Sequence, residues 1–263
     1  MRTIAVMNNK GGVGKTLTCI NLADILTRRY GKRVVLVDAD GQMNLTRFYF
    51  PRFNSAEEAT VYDILLGQGH DVWDMNLWQV KPGLEILPGD NRLYGLDLEA
   101  IAGEMDQLTR QRILLRLRDI RDCAIEDEAA DFMLIDCPPG YTVSSVAALM
   151  AAEEVVIPVL VDGFSTFGVQ TMAEQVAQIR RANPRIRISG VLINEWRNEE
   201  VVHEGEKLIR SMGVPVFKQV IRRTEKVPES TYKSQPVCLY SPGSAASQDF
   251  KAWVKELLGE EVQ

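Results

Sequence analysis

Residues 8–17 read NNKGGVGKTL, and their types and spacing suit one kind of chemistry, the holding of phosphate. Gly11, Gly12 and Gly14 let a backbone turn tightly enough to aim its N–H groups at anionic oxygens. A helix starting near Lys15 adds the positive end of its dipole. Lys15 can reach β- and γ-phosphate oxygens, and the Thr16 hydroxyl is placed to ligate Mg²⁺. The fit to G-x-x-x-x-G-K-[ST] is incomplete, because Asn9 stands where the first glycine belongs and Lys10 adds a second lysine inside the loop. One lysine suffices for the phosphates of one nucleotide, so Lys10 needs a separate explanation.

Three acids follow apolar runs. Asp136 closes DFMLID (131–136), and an acid there can hold the hydration shell of Mg²⁺. Asp38 and Asp40 lie in DADGQ (38–42). Spaced by one residue on a loop, both can face the same crevice. One could orient an attacking water while the other supports the metal shell.

Positioning these groups needs strands that end together. RTIAVM (2–7), RVVLVD (33–38), GLEILP (83–88), DFMLID (131–136), EVVIPVLV (154–161) and RISGVLIN (187–194) are short apolar runs, and VPVFKQVI (214–221) closes the series. Amphipathic stretches separate them. The first, TLTCINLADILTRRYG, carries Ile20, Ala23, Leu26 and Thr27 at helical spacing and ends at Gly31, a suitable C-terminal stop. Continuous apolar strands alternating with helices predict an α/β fold, a mostly parallel central sheet with helices on both faces. Such sheets bind ligands at the carboxyl ends of their strands, where the loop, Asp38, Asp40 and Asp136 all fall. With no Pro/Ser-rich linker, repeat or low-complexity tract, residues 1–263 are expected to form a single domain. The stretch 50–82 is the least regular and reads as a peripheral excursion.

Composition narrows the function. The chain of 263 residues has a formal net charge of −6 and a pI of about 5.2, so any nucleic-acid contact needs a local basic patch. The four cysteines, Cys19, Cys123, Cys137 and Cys238, form no C-x-x-C pair, and only His70 and His203 could assist a zinc site. Small buried cysteines in a reducing compartment are expected. With no signal-peptide pattern and no run long enough to span a bilayer, the protein is expected to be cytoplasmic.

KGGVGKT, VVLVDADGQMN and FMLIDCPPG resemble the deviant Walker A, switch I and Walker B/switch II segments of the ParA/MinD family of P-loop ATPases. GLEILPGDNRLYGLDLE, VLIN and QVIRRTEKVPESTYKSQPVCLYSP extend the likeness over most of the chain, closest to small ParA/Soj-type partition ATPases. The resemblance implies ATP and Mg²⁺ as ligands, with residues 10–17 (Lys10, Gly11, Gly12, Val13, Gly14, Lys15, Thr16 and Leu17) at the nucleotide. It implies that Lys10 reaches across to the nucleotide of a second subunit, in a homodimer formed on ATP binding, while Lys15 acts in cis. Asp40 matches the residue that positions the hydrolytic water. Asp38 matches the residue that supports a metal site shared with Thr16 and Asp136, and Asn194 matches the residue that reads the adenine. Three departures stand out. Leu17 replaces a Thr or Ser that helps hold the α-phosphate, Gly41 replaces a Pro after the second Asp, and Arg222 stands where the family often has Pro.

The family implies slow ATP hydrolysis stimulated by a ParB-like activator, and non-specific DNA binding in the ATP state. Residues 207–233 form the densest basic region of the chain, and within it Arg223 and Lys226 match positions that are basic in DNA-binding relatives. A MinD-like membrane role is the alternative. The tail SQDFKAWVKELLGEEVQ has an apolar stripe but a balanced polar face, unlike a basic interfacial helix, and is expected to pack on the body. No membrane association is therefore expected. The chain starts at the first strand, and no helix-turn-helix extension is expected. An iron–sulfur scaffold role, a further alternative, needs cluster-ligand cysteine spacing that Cys137 does not supply, and a switch that binds ATP without hydrolysing it is disfavoured by the retained Asp40.

Overall fold

The computed structural model describes residues 1–67 and 77–260. Its strands are β1 (Arg2–Val6), β2 (Val34–Asp38), β3 (Trp78–Lys81), β4 (Leu84–Leu87), β5 (Phe132–Asp136), β6 (Glu154–Leu160) and β7 (Arg187–Asn194). They form one sheet in the order β3-β4-β2-β5-β1-β6-β7. Every pairing is parallel except that of β3 with β4.

The strand residues alternate between two apolar layers, as the two-residue repeat of a pleated strand requires. Ala5 and Met7 join the core under α3 (Val61–Leu66), α5 (Gln107–Glu126), α6 (Val143–Ala151) and α7 (Ser165–Ile179). Ile4 and Val6 join the opposite core, under α1 (Lys15–Tyr30), α2 (Asn44–Tyr49) and the C-terminal α11 (Ala245–Leu258). The remaining helices are α4 (Leu93–Ala102), α8 (Glu200–Ser211), α9 (Lys226–Tyr232) and α10 (Val237–Tyr240). The expected α/β architecture is thus present. Helix α1 ends at Gly31, which caps it in the left-handed region with φ +61°.

Two expectations need correction. Residues 214–221 form no strand; they meet β7 at the isolated bridge Val191↔Val216 and through Ile221 N on the Ile193 carbonyl, and a second bridge, Trp196↔Arg222, lies just past both segments. Pro215 has no N–H to give a ladder. Phe217 N still reaches the Val191 carbonyl at 3.0 Å, but the donors after it are drawn off, since Lys218 N and Gln219 N donate to the Glu256 carboxylate at 2.7 and 3.0 Å. Conversely, the stretch 50–82 contains regular structure. A Thr60/Asp63 capping box starts α3, and β3 pairs with β4 as an antiparallel edge. Residues 68–76 of that stretch, His70 among them, lie outside the described residues.

The tail packs as expected. Phe250, Trp253, Val254 and Leu257 are buried, and Trp253 meets Phe217 and Phe250 edge-on. The apolar stripe of α11 therefore faces the core beneath α1. Among the described residues no helix is long and apolar enough to cross a membrane.

Candidate nucleotide site

The loop after β1 is built around glycine torsions that other residues avoid. Gly12 and Gly14 have φ of +74° and +91°, and Gly14 is the N-cap of α1. A Cβ at Gly14 would sit 2.7 Å from Asn194 Nδ2, so only glycine lets β7 approach the loop. Asn8 braces the entry to the turn. Its Nδ2 donates to the Pro158 carbonyl (2.8 Å), and its Oδ1 accepts from Lys10 N (2.9 Å). Lys15 is buried and donates from Nζ to the carbonyls of Asn8 (3.2 Å) and Lys10 (3.0 Å). Burial pulls its pKa below the usual lysine value, while Asp136, Cys137 and Asp40 push it back up. A buried lysine arched under a glycine turn at a helix N-terminus is the arrangement that receives phosphate oxygens.

The pairing of β2 with β5 sets Asp38 beside Asp136 in register. The two carboxyls differ in their partners. Asp38 Oδ2 accepts from Thr46 N (2.8 Å) and Thr46 Oγ1 (2.7 Å), and Oδ1 accepts from Asp40 N (3.3 Å). Burial pushes the Asp38 pKa up to about 6; the Thr46 bonds restrain it and the neighbouring Asp40 raises it further. Neither oxygen of Asp136 has a hydrogen-bond partner, although the carboxyl is buried. Burial, and then Asp38, hold its pKa well above the usual carboxylate range, with the nearby Thr16 opposing. An orphaned buried carboxylate beside a threonine hydroxyl fits a hydrated Mg²⁺, which takes few protein ligands and keeps its waters. Asp40 is also buried, its Oδ1 accepting from Gln42 N at 2.9 Å.

Lys10 behaves unlike Lys15. Its side chain is 47% exposed and its ammonium pairs with the Asp162 carboxylate at the end of β6. Phe164 and Phe167, on the turn and helix after Asp162, are both largely exposed.

A cleft beside the loop is lined by Val13, Leu17, Asn194, Ile221, Arg223 and Phe250. Asn194 Nδ2 donates to the Val13 carbonyl at 2.8 Å, while its Oδ1 is buried without a partner. A free acceptor in an apolar slot suits the exocyclic amine of a purine. Leu17 supplies apolar wall to this slot in place of a hydroxyl. Arg222 does not enter it as a loose cation: its guanidinium grips the buried Asp249 of α11 at 2.9 and 2.7 Å.

The basic stretch is more neutralised than its composition suggests. Arg210 pairs with Glu206, Arg222 with Asp249 and Lys226 with Glu229, and Arg223 lies 4.0 Å from Glu195. The structure thus places Arg223 at the rim of the cleft and Lys226 at the start of α9, whose far end carries the 92%-exposed Tyr232 and Lys233.

Sequence reasoning missed Asp162 and Thr46. Asp162 follows a strand at the same sheet edge as the three acids, and that position was a usable signal. Thr46 carried none, because its role depends on a fold-back of α2 onto β2.

Sheet order, glycine loop, buried lysine and paired acids define a P-loop nucleotide-binding α/β protein. The family model described as AAA domain matches residues 1–188. The chain is 33% identical over 265 residues to the chromosome partitioning protein ParA of Caulobacter vibrioides, covering 99% of this chain and 95% of that protein. It is 30% identical over 262 residues to the sporulation initiation inhibitor protein Soj of Bacillus subtilis, covering 97% and 98%. Among solved structures it resembles apo McdA of Cyanothece (TM-score 0.81, 20% identity, 98% of this chain and 100% of that one). It also resembles the septum site-determining protein MinD of Pyrococcus horikoshii in complex with Mg-ADP (TM-score 0.73, 23% identity, 97% and 95%). The chain belongs to the ParA/Soj-type partition ATPase family.

Proposed function

We propose that residues 1–263 form one ATPase unit working as an ATP-dependent dimeric switch in DNA partition. The observation that carries this reading is the division of labour between two lysines of one loop: Lys15 buried beneath it, Lys10 exposed beside it.

The loop amides and Lys15 bind the phosphates of ATP, and Asn194 with Leu17 seats the base. Mg²⁺, when bound at Thr16 and Asp136, supplies charge neutralisation for the β- and γ-phosphates. Asp38 is locked by Thr46 and holds the shape of the metal side. Asp40 orients the attacking water toward the γ-phosphorus, and ADP and phosphate are released. Lys10 leaves Asp162 for the γ-phosphate of a second copy, since a long-stemmed point charge is strongly attracted to phosphate in a water-poor interface. Phe164 and Phe167 supply apolar surface to the same face. Pairing two weak basic patches would make non-specific DNA binding ATP-dependent. A ParB-like activator would speed hydrolysis and reverse the state, in the cytoplasm or on the nucleoid.

The burial of the α11 stripe supports the DNA branch over a MinD-like use of that helix as a membrane anchor. The test is Lys10→Ala, followed by light scattering with a non-hydrolysable ATP analogue. The variant is expected to bind the analogue and remain monomeric, and a dimer as stable as wild type refutes the reading.

A further inference from the structure

Helix α4 presents an apolar stripe to solvent. Tyr94, Leu98 and Ile101 recur at i, i+4 and i+7, and they are 49%, 68% and 84% exposed. Leu108, just beyond at the start of α5, is 55% exposed. A single exposed leucine is ordinary, but a stripe on one helix face is the mark of a contact surface. The opposite face of α4, through Leu93 and Leu96, is buried in the core.

The helix is tied to both loops of the candidate site. The Tyr94 ring lies against Gly41, where a Cβ would come within 2.9 Å of it and the ring would have to shift. Asp97 Oδ1 accepts from Val143 N at 2.7 Å and so holds the first turn of α6, downstream of Asp136. A load on α4 is therefore felt at Gly41, next to Asp40, and at the segment after Asp136.

The charge around the stripe selects the partner. Glu99, Glu104 and Asp106 are exposed along and beyond it. Asp106 caps α5. The nearby Arg92 is taken by Asp90 and Asp63, while Arg110, which donates to the Ala100 carbonyl at 2.9 Å, and the exposed Arg112 keep their charge. Asp97, Glu99, Glu104 and Asp106 still outnumber Arg110 and Arg112, so the surround is acidic by a small margin. In a two-fold pairing of α4 with its own copy these acids would face one another.

We infer that the exposed face of α4 is the docking surface for a basic amphipathic helix of a partner protein, apolar at i, i+3, i+4 and i+7 with lysine or arginine on its flanks. Its regulatory meaning rests on the ATPase reading above; the docking itself does not.

The test uses the full chain and two synthetic helices with the same leucine spacing, one flanked by lysine and the other by glutamate. Titration calorimetry measures binding, and phosphate release is followed in parallel. The lysine helix is expected to bind wild type and to alter its ATPase rate, while the glutamate helix does neither. The surface double variant L98S/I101S should weaken binding by about tenfold or more with its basal ATPase rate unchanged, and E99K/E104K should reverse the preference between the helices. Equal binding to L98S/I101S, or no binding to wild type, overturns the proposal. So does loss of self-association in L98S/I101S by sedimentation, which would make a second copy the occupant. Normal binding with no hydrolysis under any condition leaves the docking surface standing and refutes the ATPase reading instead.

Discussion

Replacing Thr46 by valine removes one hydroxyl with little change in shape. That hydroxyl donates to Asp38 Oδ2 at 2.7 Å and accepts from Gly89 N at 2.9 Å, all inside the protein. Loss of a hydrogen bond to a charged acceptor costs about 1.5–3 kcal/mol, and stranding a buried N–H costs about 1–3 kcal/mol more. Thr46 N still donates to Asp38, so the sum is expected near 3–5 kcal/mol, a large share of the ~5–15 kcal/mol typical of a folded domain. Thr46→Ser keeps the hydroxyl and should stay within about 1 kcal/mol of wild type. Urea denaturation of the nucleotide-free protein at pH 7.5 measures both. The pH dependence adds a second check. Asp38 has a folded pKa of about 6, raised above its ordinary 3.8. The stability that protonation contributes is therefore fully present below 3.8 and lost as pH rises through about 6. The valine variant has lost one restraint on that pKa, so its carboxyl holds the proton to higher pH. Near pH 5 the charged form is scarce in both proteins, and the gap between them should narrow. A valine variant within 1 kcal/mol of wild type at pH 7.5, or a gap that widens on acidification, refutes the role given to Thr46.

Asp40→Ala should bind nucleotide normally and lose about 10²–10⁴ in hydrolysis rate; steady-state phosphate release near the wild-type rate would show that Asp40 does not act on the water. Changing Arg223 and Lys226 together to Glu should abolish retention of unrelated duplexes in an ATP-dependent gel shift while leaving nucleotide binding intact, and an unchanged shift moves the DNA surface elsewhere. Trp253→Ala should cost about 3–5 kcal/mol by thermal or urea unfolding. Trp253→Phe should cost much less, because the indole N–H is already buried without a partner.

The parts of the site written in contiguous residues were legible before any coordinates. Six of the seven apolar runs, 2–7 through 187–194, became strands because parallel strands buried on both faces need unbroken hydrophobicity. The loop was legible because glycine torsions and a lysine–threonine pair have few other uses together. What escaped depends on long-range competition for hydrogen bonds. Residues 214–221 look like a strand until Glu256 captures two of their amides. Strand β3 is half-exposed and pairs on one side only, so its pattern is weak. The basic stretch 207–233 overstated its free charge, because Asp249 and Glu195 reach it from elsewhere in the chain and Glu206, one turn before Arg210 on α8, lies just outside its bounds.

The pairing of Lys10 with Asp162 has a consequence for ionic strength. Both side chains are partly solvated, 47% and 36% exposed, and an ion pair of that kind is worth about 0–1 kcal/mol, at most a roughly fivefold bias. Asp162 therefore steers the lysine without locking it. Added salt loosens this tether and also screens the pull of an incoming phosphate. The two effects oppose each other, so the subunit association proposed above for Lys10 should vary far less steeply with salt than the proposed binding to a polyanion.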